Sequence, residues 1–348
     1  MTSISPELLV AMAMLAALTA YTLSGGADFG AGVWNLLANG PRAEAQREVI
    51  SHAIGPIWEA NHVWLIIVVV LLFTGFPPVF VAIMTALHVP LSLMLVGIVF
   101  RGSAFIFRTY DNSDRGKRWW NRVFSATSVA TPILLGMMIG AIATGRVESR
   151  PDRVGNLYSA WIGPFPIVVG LFALSIFSFL AAVYLTLETH DRDLVEDFRI
   201  RALIAAVAVG ILAYVVYLLA RREAPLVFEG LDASPWGLPV RIATGACAIL
   251  TLATLWFRHY FLARIAAAAQ VTLILWGCAL AQNPYLVPPY LTVQNSAAPR
   301  VIHKLLLWAL AAGSLFLFPS IYYLYHIFKG HEKQALPEGS VKAEPTER

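Results

Sequence analysis

The sequence predicts an all-α, polytopic bundle of about nine membrane-crossing helices, and three observations carry that reading. Of the 348 residues, 58% are hydrophobic and only 13% are charged, whereas soluble domains carry roughly a quarter charged residues. Mean hydropathy is +0.67. The charges are bunched between apolar runs of about 20 residues, each long enough to cross a hydrocarbon layer about 30 Å thick. A soluble globular chain, a disordered chain, a secreted disulfide scaffold and a soluble nucleic-acid binder are thereby excluded. The sequence pI near 9.1 is no nucleic-acid signal, because the Lys and Arg residues flank apolar helices.

Nine runs read as spans: 8–23, 58–75, 79–100, 123–144, 162–187, 202–220, 240–257, 263–281 and 305–328. The second and third are divided by Phe76-Pro77-Pro78, which forbids a continuous helix and predicts a tight hairpin. The first run lacks a basic leader and a small-residue cleavage site, so it reads as a retained anchor. Of the 25 Lys and Arg residues, 17 fall on the face holding the C-terminal tail. The positive-inside rule then places that face in the cytoplasm and the N-terminus outside. Residues 1–329 form one transmembrane domain, and 330–348 read as a polar, disordered cytoplasmic tail. No Walker motif and no inserted soluble domain occur, so any energy comes from ions, electrons or a partner.

Ionisable groups at membrane depth are the first functional candidates. Asp28 lies in Ser24-Gly25-Gly26-Ala27-Asp28-Phe29-Gly30-Ala31-Gly32. The 21 residues from Glu7 to Asp28 make about 31 Å of helix at about 1.5 Å each, which carries Asp28 to the edge of the hydrocarbon. Gly25 and Gly32 share its helical face and admit a close helix neighbour. The alternative is a glycine-weakened helix end with a water-solvated acid. A second cluster is Gly55-Pro56-Ile57-Trp58-Glu59-Ala60-Asn61-His62. Pro56 suits a helix start, and Glu59 and His62 share one face while Asn61 points elsewhere. The pair can collect and pass protons, or simply be a helix-start carboxylate with a histidine bonded to it.

A haem site of the chain's own is not expected. His62 and His88 are the membrane candidates, and their depths differ by roughly 10 Å, a poor axial pair for one iron. His52, His190, His259, His303, His326 and His331 fall at span ends or in loops. Cys247 and Cys278 sit in apolar runs and read as small core residues. Gly136 to Gly140 reads as a helix-packing motif, Pro319 as a kink, and Arg101–Arg122 as a basic loop that sets topology.

Several stretches together resemble subunit II of the cytochrome bd quinol oxidases. They are Asp28 in its glycine-rich setting, Gly-Pro-x-Trp-x-x-Asn-x-Val-Trp at 55–64, Phe76-Pro77, Pro90-Leu91, Arg101-Gly102, Trp276-Gly277-Cys278-Ala279-Leu280-Ala281-Gln282, Ala297-Ala298-Pro299 and Pro319-Ser320-Ile321-Tyr322-Tyr323. The resemblance implies a non-haem subunit in a bacterial inner membrane, paired with a subunit I that holds b- and d-type haems. Such a complex oxidises quinol and reduces oxygen to water, taking protons from the cytoplasm. It also implies a structural quinone in some members and leaves room for a small single-span accessory subunit.

Carried over by position, the resemblance makes Glu59, with His62, the proton path, and puts Asp28, Trp58 and Asn61 in assembly or at the partner interface. Two family acids are replaced here, by Gly25 and Ile106. A contrasting expectation is a proton-coupled secondary transporter using Asp28, Glu59 and His62, although only a faint internal repeat (Gly55-Pro56 and Gly163-Pro164) supports it.

Overall fold

The computed structural model describes residues 5–54, 58–111, 113–147 and 158–330. The expected tail lies almost entirely outside the described residues.

The described chain is a helix bundle. In order come α1 (Pro6–Leu36), α2 (Ala43–Ile54), α3 (Trp58–Gly75), α4 (Pro77–Ala86), α5 (His88–Tyr110) and α6 (Asp114–Ala143). They are followed by α7 (Pro164–Leu185), α8 (Arg192–Glu223), α9 (Pro225–Ala233), α10 (Gly237–Trp256), α11 (Tyr260–Gln282) and α12 (Arg300–Gly330). A short antiparallel hairpin, β1 (Tyr285–Val287) and β2 (Leu291–Thr292), joins α11 to α12. Among the described residues eight helices are individually long and apolar enough to cross a membrane, and α3 with α4 makes up to a ninth unit, bent by 116°. The chain is a multi-pass membrane protein, as its composition requires.

The expected spans at 8–23, 123–144 and 202–220 are lengthened in α1, α6 and α8, and the third expected span is broken. The run 79–100 is not one helix: α4 ends at Ala86, and α5 starts at His88. Pro90 supplies the reason, since it has no N–H for the Ala86 carbonyl and its ring crowds that carbonyl. Starting later, α5 must run further to cross, and it does so through Arg101 and Arg108 to Tyr110. The residues expected to form a basic loop at 101–122 are therefore mostly helical. His88, expected well inside a span, stands exposed at the start of α5, with Nδ1 2.9 Å from the Thr85 carbonyl. At the other break, after Gly75, the Gly75 carbonyl accepts from the Ala298 N–H at 2.8 Å.

Small residues set the packing at the bundle centre. A Cβ on Gly30 would stand 1.9 Å from the Phe177 carbonyl oxygen, and one on Gly32 2.2 Å from Ser128 Oγ. Any other residue would push α1 away from α7 and α6. Gly136 and Gly140 do the same between α6 and α7, each with less than 3 Å to α7 backbone atoms. Around this seam lie the buried Phe29, Trp34, Phe124, Phe177, Phe179 and Leu180. Outward-turned apolar groups, among them Ile66, Leu95, Trp308 and Phe316, make the surface a bilayer requires.

Candidate functional site

The site grows from α1, whose glycine-rich second half does not end at Asp28 but continues as helix to Leu36. Asp28 is thus held inside the bundle, with its side chain 5% exposed. Arg101 of α5, only 2% exposed, reaches it from across the seam: one guanidinium nitrogen lies 2.6 Å from Asp28 Oδ1 and 3.0 Å from the Asp28 carbonyl. Arg101 Nε donates to Ser128 Oγ at 3.1 Å. The guanidinium plane is held between two rings, 4.8 Å from the centre of Phe29 and 4.9 Å from that of Phe124. Each such contact contributes about 1–2 kcal/mol when desolvated. A buried ion pair is tolerable only when hydrogen bonds and packing hold its geometry, and Arg101 has hydrogen bonds from Nε and one terminal nitrogen together with the two rings. Asp28 Oδ2 is different. It is buried and accepts no hydrogen bond among the described residues.

Next to Asp28 lies a cleft of about 270 Å³, room for several water molecules. It is lined by Ser24 and Asp28 of α1, Ala53 and Ile54 of α2, Asn61 of α3, Tyr184 and Glu188 at the end of α7, and Arg264 of α11. All lie towards the end of the bundle where α1 and α7 finish and α11 begins. Glu188 Oε1 stands 3.9 Å from the Arg264 guanidinium, which lies 4.6 Å over the Tyr184 ring. Polar links tie this end together. Asn35 donates to Asn121 at 2.8 Å and to Ser125 at 3.0 Å, while Arg108 reaches Asn121 at 3.1 Å and Ser51 at 2.7 Å. Arg42, before α2, binds Asp197 of α8 at 2.6 Å, and that hydrogen-bonded carboxylate raises the arginine above its ordinary pKa.

Of the residues singled out from sequence, Asp28 and Asn61 come together in this cleft. Asn61 is 3% exposed, and it faces α1 at Gly25, whose Cβ would stand 3.6 Å from that of Asn61. His62 is partly buried, with its ring edge-on to Tyr21 at 6.4 Å between centroids. Trp58 and Glu59 open α3, but their side chains lie outside the described residues. The two positions without the family acid differ. A Cβ at Gly25 would stand 3.0 Å from the Tyr21 ring, so a larger residue there must displace it. Ile106 is 43% exposed on the outer surface of α5. Arg101 is the residue sequence reasoning missed. Its signal was Pro90, which moves the whole span towards higher numbers and carries Arg101 inside.

Among the described residues no group of three or more His, Cys, Asp or Glu is placed to hold a metal ion. His52, His88, His190, His259 and His326 are exposed. His303, at the start of α12, is fully buried and edge-on to Phe76 at 5.4 Å. A second, larger cavity of about 380 Å³ is almost wholly apolar, with Thr22, Gly140, Phe165, Val216, Arg241 and Cys278 in its walls.

A sequence model of the family described as cytochrome bd terminal oxidase subunit II matches residues 6–328. The chain belongs to that family. It is 22% identical over 319 residues to the protein named "Putative cytochrome bd menaquinol oxidase subunit II" of Bacillus subtilis (strain 168), covering 88% of this chain and 91% of that one. It is 25% identical over 177 residues to the cytochrome bd-I ubiquinol oxidase subunit 2 of Escherichia coli (strain K12), or 49% of this chain and 46% of the other. The fold matches a chain of the bd oxidase from Geobacillus thermodenitrificans with a TM-score of 0.74 at 22% identity, over 93% of this chain and 99% of that chain. Membership of a cytochrome bd oxidase complex, with a subunit I as partner, follows from the family. The Asp28–Arg101 clamp thus sits in a subunit II, in a chain whose described residues group no metal ligands.

Proposed function

We propose that this chain is the non-haem subunit of a quinol-oxidising, oxygen-reducing complex in a bacterial cytoplasmic membrane, and that it both braces the haem-bearing subunit and admits protons. Oxidation of two quinols releases four electrons and four protons. Reduction of one O₂ to two waters consumes four electrons and four protons. The b- and d-type haems expected in the partner supply the electron transfer and the oxygen chemistry. This chain's own part is structural and protonic. The observation that supports it most is the Asp28 site: an ion pair locked by Ser128, Phe29 and Phe124, with Asp28 Oδ2 unpartnered among the described residues and its cleft running to the bundle end.

That bundle end faces the cytoplasm, by the positive-inside rule. Asp28 fixes the geometry on which the partner's haem centres assemble, with Asn61 in the same cleft, and Trp58 serves the same assembly. Glu59 and His62 collect protons at the start of α3. The apolar cavity suits an isoprenoid chain by its lining, which makes it the place for a structural quinone.

The test is a reduced-minus-oxidised visible spectrum, with quinol-dependent oxygen uptake, on the chain purified alone and with its neighbouring membrane subunit. We expect no haem bands alone, and b and d bands with oxygen uptake in the complex. Haem on the isolated chain, or a complex that consumes no oxygen with quinol, contradicts the reading.

A further inference from the structure

The cleft beside Asp28 ends at an acid to which no role has been given. Glu188 follows the last turn of α7, and its side chain is 18% exposed, against 37% for Arg264 next to it. Both line the cleft together with Asn61, Ser24 and Asp28. Asp28 Oδ2 is buried there and has no hydrogen-bond partner among the described residues.

We propose that Glu188 is the acid that takes protons from the aqueous phase into this cleft and passes them towards Asp28. The inference rests on the functional reading above and names a group within it. Two features support the assignment. Glu188 and Arg264 are 3.9 Å apart, beyond hydrogen-bond length. A water molecule can therefore join the carboxylate without the ion pair first having to break. The intervening wall offers polar relay groups. Ser24 Oγ donates to the Ala20 carbonyl at 2.8 Å, leaving its oxygen to accept, and Asn61 is buried beside it.

The ionisable groups lining the cleft with Glu188 are Arg264 from α11, Tyr184 from α7 and Asp28 from α1; the described lining residues of α2 and α3 are Ala53, Ile54 and Asn61. The proton binds a Glu188 carboxylate oxygen, leaves it to water in the cleft, and is handed on by water beside Asp28 towards the haem-bearing partner, so that Asp28 keeps its pair with Arg101. Glu188 returns to the carboxylate, so nothing is consumed. Such an entrance fits a chain in which position 106 is an exposed isoleucine and position 25 is a glycine.

The experiment uses the complex with its haem-bearing partner, carrying Glu188→Gln, Glu188→Asp or Ala53→Trp, the last to plug the cleft while keeping Glu188. Haem spectra and quinol-driven oxygen uptake are recorded across pH. Glu188→Gln is expected to keep native haem bands and to slow uptake on the order of tenfold, less than the hundredfold or more typical of losing a proton-transfer group of the chemical step itself. The loss should deepen as pH rises, because proton supply then limits. Glu188→Asp should restore most of the rate, and Ala53→Trp should reproduce the loss.

Unchanged uptake in Glu188→Gln at every pH overturns the proposal, as does native uptake in Ala53→Trp. Loss of haem from Glu188→Gln also overturns it, by giving Glu188 a structural role. Failure of the native complex to oxidise quinol is a different result and sinks the underlying functional reading instead.

Discussion

At one end of the bundle Asp28 and Arg101 are buried as a charged pair. At the other, His303 is fully buried with neither ring nitrogen hydrogen-bonded among the described residues. The first site holds its cation with two oxygens of Asp28, Ser128 and two aromatic faces. The second simply packs an imidazole edge-on to Phe76, beside Gly75 at the helix break. The contrast shows what burial demands of different groups. A guanidinium cannot shed its charge, so it must be surrounded by acceptors and π-faces. A histidine can be buried largely as an aromatic ring. The Asp28 end is therefore organised around an ion, and the His303 end around shape.

Substitutions can break or sharpen that comparison. The largest effect is expected from Arg101→Leu, which leaves a buried carboxylate without its cation; losing one partner of a buried pair costs about 3–5 kcal/mol. The yield of monodisperse complex should collapse, and combining it with Asp28→Leu should recover part of the loss. A double variant no better than the single one would show that the pair is not the organising feature. Next comes Gly30→Leu, whose Cβ would overlap the Phe177 carbonyl. Overpacking of this kind costs about 1–3 kcal/mol, read as a lower thermal midpoint of the purified complex.

Ser113 caps α6 by accepting from the Gly116 N–H at 3.0 Å. Ser113→Ala should cost about 1 kcal/mol and leave activity unchanged. The smallest effect is expected at His303, where Phe keeps an aromatic ring and replaces a group whose nitrogens make no hydrogen bond among the described residues; the change should cost about 1 kcal/mol or less. A loss at His303 as large as that at Arg101 would erase the distinction between the two ends.

The sequence made most of the fold legible because apolar length is a direct signal in a membrane. The span read at 58–75 coincides with α3, and α7, α10, α11 and α12 lie within a few residues of their expected positions. The glycines around Asp28 rightly announced close packing. The role of Arg101 remained hidden because it depended on a single local stop. Without the break that Pro90 imposes, Arg101 reads as the start of a loop. With it, Arg101 becomes the buried partner of Asp28. The connecting helices α2 and α9 and the β1–β2 hairpin escaped because short, half-polar segments lack the long apolar run that identifies a span. The cleft escaped too, since Asn61, Glu188 and Arg264 meet Asp28 only through the packing of α1, α3, α7 and α11.

The central claim is that one acid of this chain holds the complex together while another feeds it protons. It is tested most directly by comparing Asp28→Asn with Glu59→Gln in the co-purified complex, using the haem difference spectrum and quinol-driven oxygen uptake on the same samples. Asp28→Asn is expected to lose or distort the haem bands. Glu59→Gln is expected to keep the native spectrum while oxygen uptake slows. Native spectra and full activity in both variants, or loss of haem in Glu59→Gln, would contradict the account.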